Sequence, residues 1–286
     1  MCNPAANGRA LEYQIVQLLQ DRGAGPLGRT TGWQRRDAAH WRTRPPHVRT
    51  RFVEASTAIV KWITLRSGGS LLTVERMADD SGDVVDIVVI GMGGRSVRLS
   101  VKHNHSALKH PRPYSLAVAC GFPSGSREDA QHRGEMKVAA DRFRAAAIHR
   151  RKTKYNELEL EKLELYRDAV KVCANAIARW CVGSSVNRAE RLFAFLVGSG
   201  FHKVIVSPEL SGEIEVQDFS TIAIPSTVVA SAGNGGSHLR LDFDNGWQID
   251  CRIHTASTLI SSPTSQLSLK FDAQRLKGSV PTEKLP

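Results

Sequence analysis

No stretch of the sequence is long and apolar enough to cross a membrane, since none approaches the roughly 18 consecutive apolar residues that a span needs. Residues 1–13 contain no apolar signal region, which argues against export. Cysteine is scarce, with five residues in 286, and none of them share a Cys-x-x-Cys spacing. The pattern therefore predicts scattered thiols in a reducing cytoplasm and excludes both a zinc site and a disulfide framework.

Acidic residues are outnumbered, because 28 Asp and Glu face 39 Lys and Arg and leave a formal net charge of +11. A surplus of this size favours an acidic partner. Nucleic acid is the leading candidate, since the sequence offers no amphipathic anchor for an anionic membrane. The apolar fraction of 41% is ordinary for a globular protein, and the length suffices for one large domain or two modest ones.

Residues 82–113 predict two strands followed by a basic segment. Asp86 precedes the short β-branched run Ile87–Ile90, which is typical of a buried strand. Residues 97–101 then alternate apolar and polar side chains, as in a strand with one buried face. If these strands pair as a hairpin, Lys102 at the end of the second lies beside Asp86 at the start of the first.

The basic segment adds candidate DNA-binding side chains directly after this pair, namely His103, Asn104, His105, Lys109, His110 and Arg112. A carboxylate and an ammonium beside such a segment suit metal-assisted cleavage of a phosphodiester that is held on a basic surface. The consecutive letters His-Asn-His also suggest an HNH-type nuclease. That interpretation is discounted, because the HNH motif is spread over two strands and a helix.

The spacing from Asp86 to Lys102 resembles the catalytic core of the PD-(D/E)xK nucleases. The family form places an acid two residues before the lysine, and Ser100 occupies that position here. Either the site is inactive or a carboxylate arrives from elsewhere in the chain. Further acids close in sequence to Asp86 are Glu75 and Asp83, the latter in a turn-like run where acids are common for backbone reasons.

Glu12 is the preferred candidate for the missing carboxylate. A helix is predicted for Arg9–Gln20 with Asn7 as its N-cap, and Glu12 lies at the edge of its apolar stripe. A first-turn acid also suits the helix dipole without any catalytic role. In some nucleases of this fold, however, the acid sits on the first helix.

Longer blocks resemble HaeIII-type restriction endonucleases. These are NGRALEYQIV, GDVVDIVV, LSVKHNHSALKHPRP, GWQIDCRIHTAS and SLKFD, which occur in the family's order from Asn7 to Asp272. The resemblance implies a type II restriction enzyme that cuts both strands of duplex DNA at a short GGCC palindrome with Mg²⁺. It also implies a cytoplasmic restriction-modification system with a cognate DNA methyltransferase, and it does not imply a stable complex between the two proteins. A palindromic DNA site can be bound by either a monomer or a homodimer.

The mechanism expected from this resemblance is metal-assisted hydrolysis. Asp86, Glu12 and the backbone carbonyl of Val101 would supply oxygen ligands to Mg²⁺. Lys102 would position or help activate the attacking water and stabilise the anionic transition state. Two alternatives stay open: a non-catalytic nucleic-acid-binding protein on a nuclease-like fold, and a repair or mobile-element nuclease without sequence preference.

The patterns predict an α/β (α+β) fold with a PD-(D/E)xK-like mixed central sheet flanked by helices. The predicted domains are a catalytic core with the N-terminal helix and a basic loop (1–120), a helical region (121–200), a β-rich C-terminal part (201–275) and a loose tail (276–286).

Three local patterns refine this division. Gly23–Arg51 is predicted to be an irregular, arginine-rich loop suited to phosphate contacts. Thr221–Ile224 is predicted to be a strand. The turn Asp244-Asn245-Gly246 predicts a hairpin whose second strand places Arg252 and His254 on one face as DNA-reading candidates.

Overall fold

The computed structural model describes residues 4–26, 32–77, 84–103, 108, 112–182, 186–207, 213–260 and 267–286. The chain divides into two compact units. Unit 1 comprises Met1–Ser106, Gly198–Ile222 and Val280–Pro286, and unit 2 comprises Ala107–Val197 and Ala223–Ser279. Each unit combines helices with one sheet, so the predicted mixture of sheet and helices is confirmed. The specific PD-(D/E)xK arrangement stays a prediction.

Unit 1 contains a seven-stranded mixed sheet in the order β1-β2-β3-β4-β5-β6-β11. Numbered along the chain, its strands are β1 (Gly25–Pro26), β2 (Leu71–Arg76), β3 (Ile87–Gly91), β4 (Ser96–His103), β5 (His202–Val206), β6 (Ile214–Asp218) and β11 (Thr282–Leu285). β2, β3 and β4 are antiparallel neighbours, whereas β4 and β5 are parallel. The β3–β4 register pairs Ile87 with Leu99, which brings the start of β3 next to the end of β4.

Three helices belong to unit 1: α1 (Pro4–Asp21), α2 (Gly32–Arg42) and α3 (Pro46–Arg66). Leu11, Ile15 and Leu19 recur at helical spacing along α1 and are fully buried in a core shared with the sheet. α1 packs on β2 and β4, as well as on the other two helices. Because Glu12 follows Leu11, this packing also buries its carboxylate.

Unit 2 contains the helices α4 (Leu116–Ala119), α5 (Arg127–His149), α6 (Glu159–Trp180) and α7 (Arg188–Val197). Its antiparallel sheet has the order β10-β9-β8-β7, formed by β7 (Val228–Gly233), β8 (His238–Phe243), β9 (Gln248–Thr255) and β10 (Leu269–Lys277). The predicted β8–β9 hairpin is confirmed. Gly246 in its turn has a φ of 83°, a conformation that glycine adopts without a steric penalty.

Several boundaries differ from the sequence predictions. Gly23–Arg51 is not an irregular loop, since it contains α2 and the start of α3; its many arginines mask the helical periodicity. Pro4 and Pro46 each occupy a first helical position, where the missing N–H costs nothing, so α1 begins before the predicted cap at Asn7. Thr221–Ile224 forms no strand.

The C-terminal residues 276–286 are not a loose tail. β10 continues to Lys277, and β11 pairs four residues with β6 in unit 1. The indole N–H of Trp62 donates to Glu283 at 2.6 Å and ties this strand to α3. The structure therefore divides the chain differently from the predicted contiguous domains, because the parallel edge of β4 recruits strands from beyond residue 198.

The described cysteines carry free thiols and are all buried: Cys120, Cys173, Cys181 and Cys251. Burial raises the pKa of the Cys173 and Cys251 thiols. Within the described ranges, no helix is both long and apolar enough to span a membrane.

Candidate active site

Asp86 and Lys102 lie together where β3 begins and β4 ends, at one end of two inner strands of the sheet. Lys102 Nζ is 3.2 Å from Asp86 Oδ2, and the backbone N–H of Val101 donates to the same oxygen at 2.7 Å. The two strands separate at this point, so the Asp86 carboxylate accepts the hydrogen bond from Val101 N–H that a carbonyl of the neighbouring strand would otherwise accept. The predicted proximity of this acid and this ammonium is confirmed. Their catalytic roles stay predictions.

Ser100 supports Asp86 instead of supplying a second acid. Its side chain is buried, and its hydroxyl donates to Asp86 Oδ2 at 3.4 Å. All three contacts therefore fall on one carboxylate oxygen. The side chains of Asp86 and Lys102 remain 19% and 26% exposed, so solvent and small ions can reach the pair.

Glu12 approaches this pair from α1. The carboxyl group is buried, and burial raises its pKa from 4.5 to about 8, with the nearby charge of Asp86 as the next cause. The positive charges of Arg76 and Lys102 act in the opposite direction and lower it. Glu12 is thus close enough to Asp86 and Lys102 for their charges to act on it, and α1, which carries Glu12, packs on β4.

A buried arginine connects Glu12 to a second acid that the sequence did not single out. Arg76 Nη2 is 2.5 Å from Glu12 Oε2, and Arg76 Nε is 3.2 Å from Asp37 Oδ2. The side chains of all three are at most 9% exposed. Arg9 approaches Asp37 to 3.8 Å from α1. A helical reading of residues 32–42 would have placed Asp37 toward the core, but the arginines around it obscured that pattern.

Glu75, a further acid considered as a metal ligand, is not brought into this cluster. Glu75 precedes Arg76 on β2 and therefore projects from the opposite face of the strand. No hydrogen bond or ion pair between described residues links Glu75 to Asp86. Asp83 lies outside the described residues.

The predicted DNA-binding residues are divided between the two units. His103 ends β4, its ring meets that of Phe52 edge-on at 5.4 Å, and burial lowers its pKa. Arg112 is exposed in unit 2, and Arg252 and His254 lie on β9 of the same unit. The predicted residues Asn104, His105, Lys109 and His110 lie outside the described residues.

The donor set suits Mg²⁺ better than a metal that needs a full protein cage. Within the described parts of the chain, no group of three or more His, Cys, Asp or Glu residues could hold a metal ion. Mg²⁺ commonly uses one or two carboxylates, keeps several waters and takes further oxygens from a phosphate substrate. Glu12 and Asp86 repel each other in a partly buried setting, which a bound cation would relieve. The carbonyl of Val101 stays a predicted third ligand.

Comparison with known proteins relates this chain distantly to the type II restriction enzymes. The relative is the type II restriction enzyme HaeIII of Haemophilus aegyptius, which is 24% identical over 263 residues, covering 81% of this chain and 80% of the relative. The aligned part of this chain contains more residues than either unit, so the similarity includes residues of both units. No family profile matches the chain, and no solved structure matches it.

We expect Glu12→Gln to change how stability depends on pH. Between pH 4.5 and 8 the folded protein retains a proton on Glu12 that the unfolded chain releases. Wild-type stability should therefore fall as pH rises through this window, by up to about 1.4 kcal/mol per pH unit. Glutamine mimics the protonated acid, so the free energy of unfolding of the variant should match that of the wild type near pH 4.5. As pH rises to 8, the variant should become increasingly more stable than the wild type. Urea unfolding at pH 5, 6.5 and 8 measures this difference.

The matched control is Glu54→Gln, which changes an exposed glutamate of α3 in the same unit. Its stability difference from the wild type should not vary with pH over this range. A Glu12→Gln difference that is equally independent of pH would contradict the burial of an ionisable group at this position.

We expect Arg76→Met to destabilise unit 1 by about 3–5 kcal/mol, because it removes a buried positive charge that the Asp37 carboxylate and the Glu12 carboxyl group share. Adding Asp37→Asn should recover part of the loss. Lys284→Met removes an exposed pair with Glu213 and should cost less than about 1 kcal/mol. Urea unfolding measures all three variants, and equal losses for Arg76→Met and Lys284→Met would contradict the shared buried pair.

Proposed function

We propose that this protein is a type II restriction endonuclease that hydrolyses both strands of duplex DNA at a short palindrome and requires Mg²⁺. The observation that supports this most strongly is the meeting of Glu12, Asp86 and Lys102 in a chain similar to a type II restriction enzyme over four-fifths of its length. The net charge of +11 suits a polyanionic substrate. The GGCC sequence implied by the family resemblance is the first site to test.

In this proposal Glu12 and Asp86 hold the metal. Bound Mg²⁺ would lower the pKa of a coordinated water and neutralise charge on the phosphate in the transition state. Asp86 is oriented by Ser100 and Val101, whose donors bind Oδ2, so Oδ1 is the oxygen proposed to bind the metal. Arg76 pairs with the carboxyl group of Glu12 and helps to fix its position. In this proposal Glu12 of α1 replaces the acid that is missing at position 100.

Lys102 is the cation placed to act on the substrate. Its ammonium lies 3.2 Å from Asp86 and is about a quarter exposed, so it can reach both the metal-binding acid and an incoming phosphate. In this position it would orient the attacking water and stabilise the developing negative charge. A protein that only binds DNA gains nothing from acids facing the phosphates, which favours the enzyme over the binder.

The remaining features of the proposal follow from the family resemblance. The enzyme would belong to a cytoplasmic restriction-modification system together with a cognate methyltransferase that protects the same site. A homodimer would match the two-fold symmetry of a palindrome, and a monomer would cut the two strands in turn.

Digestion of plasmid DNA tests the proposal. We expect discrete fragments with Mg²⁺ and no cleavage with EDTA. Asp86→Asn, Lys102→Met and Glu12→Gln should still bind DNA but cut at least about 100-fold more slowly, since each loses a group that acts on the metal or the transition state. Glu54→Gln and Lys284→Met, which change exposed residues of unit 1, should cut at the wild-type rate.

Each alternative gives a different result. A gel shift without cutting identifies a DNA-binding protein, and a smear identifies a nuclease without sequence preference. Normal cleavage by the Asp86→Asn and Lys102→Met variants would show that the active site lies elsewhere.

A further inference from the structure

One face of the four-stranded sheet in unit 2 is polar throughout β8 and β9. Alternate residues of these strands, including Leu239, Leu241, Ile249 and Cys251, are buried, and α6 packs on the sheet. The intervening residues project from the other face. The register aligns His238 with Arg252 and Arg240 with Asp250, and continues from Arg252 to Asp272 on β10.

Neighbouring polar groups on this face orient one another. Arg252 Nη2 donates to Asp272 Oδ2 at 3.1 Å, and Arg240 Nη2 donates to Gln248 Oε1 at 2.8 Å. His238 Nδ1 lies 2.6 Å from Asp250 Oδ2. Each arginine is thus held by one terminal nitrogen to an acceptor on the next strand, and a guanidinium has further N–H donors that can point away from the sheet.

Arg252 is more exposed than the carboxylate that holds it. The side chain of Arg252 is 56% exposed, whereas that of its partner Asp272 is 20% exposed. The side chain of Arg240 is 40% exposed, and its Nε lies 3.7 Å from Oδ1 of Asp242, an acid of the same face that is 38% exposed. The face therefore presents cationic donors to solvent, while the paired carboxylates of Asp250 and Asp272 are less exposed and repel a polyanion less. Asp242 is the more exposed acid of this face, and its charge is partly offset by Arg240.

The end of this face carries a further concentration of positive charge. Lys270 of β10 lies opposite His254 of β9. Lys270 and Arg252 both lower the pKa of His254, after burial as the main cause. Lys270 and Arg252 are thus close enough to His254 for their charges to act on it, as is Asp272, whose charge raises its pKa.

Such an array suits the edges of base pairs better than a row of phosphates. An arginine held in place donates two hydrogen bonds to O6 and N7 of guanine in the major groove, which is the commonest base-specific contact. The groove is about 12 Å wide and admits a two-stranded β-ribbon. Alternate residues recur about every 7 Å along a strand, which matches about two base-pair steps.

We propose that the polar face of β8, β9 and β10 reads base pairs in the major groove of duplex DNA, with Arg240 and Arg252 donating to guanines. This inference rests on the proposed function, since a restriction enzyme must recognise a sequence. Asp272 and Gln248 are positioning residues that hold the two guanidinium groups. Base recognition is thus assigned to unit 2, and phosphodiester hydrolysis to unit 1.

Selection from a random duplex pool tests this directly, with Ca²⁺ replacing Mg²⁺ so that binding is measured without cleavage. The wild type should enrich a motif that contains guanine. Arg252→Ala and Arg240→Ala should each lose a guanine from the motif and bind the wild-type motif roughly 10- to 100-fold more weakly, with little change in binding to unrelated DNA. Arg252→Lys keeps the charge but not the paired donors, so it should lose the same guanine.

Two controls separate base reading from charge. Arg142→Ala removes an exposed arginine of α5 that also pairs with an aspartate, Asp168, and should leave the motif intact. Replacing single guanines of the motif by 7-deazaguanine, which lacks the N7 acceptor, should weaken the wild type roughly tenfold at the contacted position and leave the matching arginine variant unaffected. Circular dichroism checks that every variant is folded.

The inference is overturned if the wild type enriches no motif, or if the arginine variants enrich the same motif. It is also overturned if they lose affinity equally for all sequences, which would indicate phosphate contacts. A wild type that selects a motif but never cuts with Mg²⁺ would refute the proposed enzyme and leave the reading face supported, so the two proposals fail separately.

Discussion

The site depends on how the Asp86 carboxylate is held where β3 and β4 separate. Three donors, from Ser100, Val101 and Lys102, converge on one of its oxygens. This arrangement fixes the acid at the end of two inner strands and places the ammonium of Lys102 beside it without fully burying either group. The hairpin register produces this pair. Ile87 lies opposite Leu99, so Asp86, just before Ile87, and Lys102, shortly after Leu99, lie at the same end of the two strands.

Glu12 joins the candidate site from a different part of the chain. Its ionised carboxylate is destabilised by burial at this position. A buried carboxyl group close to a second acid is disfavoured as an anion, which is why its pKa rises to about 8. Arg76 offsets part of this cost and also pairs with Asp37. Buried ionic groups of this kind rarely maximise stability, and a strained acid pair is the arrangement that a divalent cation relieves.

The sequence predicted the parts of the site that depend on local pattern. Asp86 and Lys102 were identified from strand periodicity, the β8–β9 hairpin from its turn residues, and Glu12 from a helical stripe together with a family resemblance. Arg76, Asp37 and the C-terminal strand were missed, because their positions depend on packing between distant segments. The parallel pairing of β4 with β5 joins residues about one hundred positions apart, which periodicity alone cannot reveal.

The central claim is that Glu12 and Asp86 hold one divalent cation beside Lys102. Anomalous diffraction from crystals grown with DNA and Mn²⁺, a substitute for Mg²⁺, tests this most directly. The account predicts a peak within about 2.3 Å of one carboxylate oxygen from each acid, and its loss in Asp86→Asn. Ordered DNA with no peak between these two residues, or a peak bound by other acids, would contradict it.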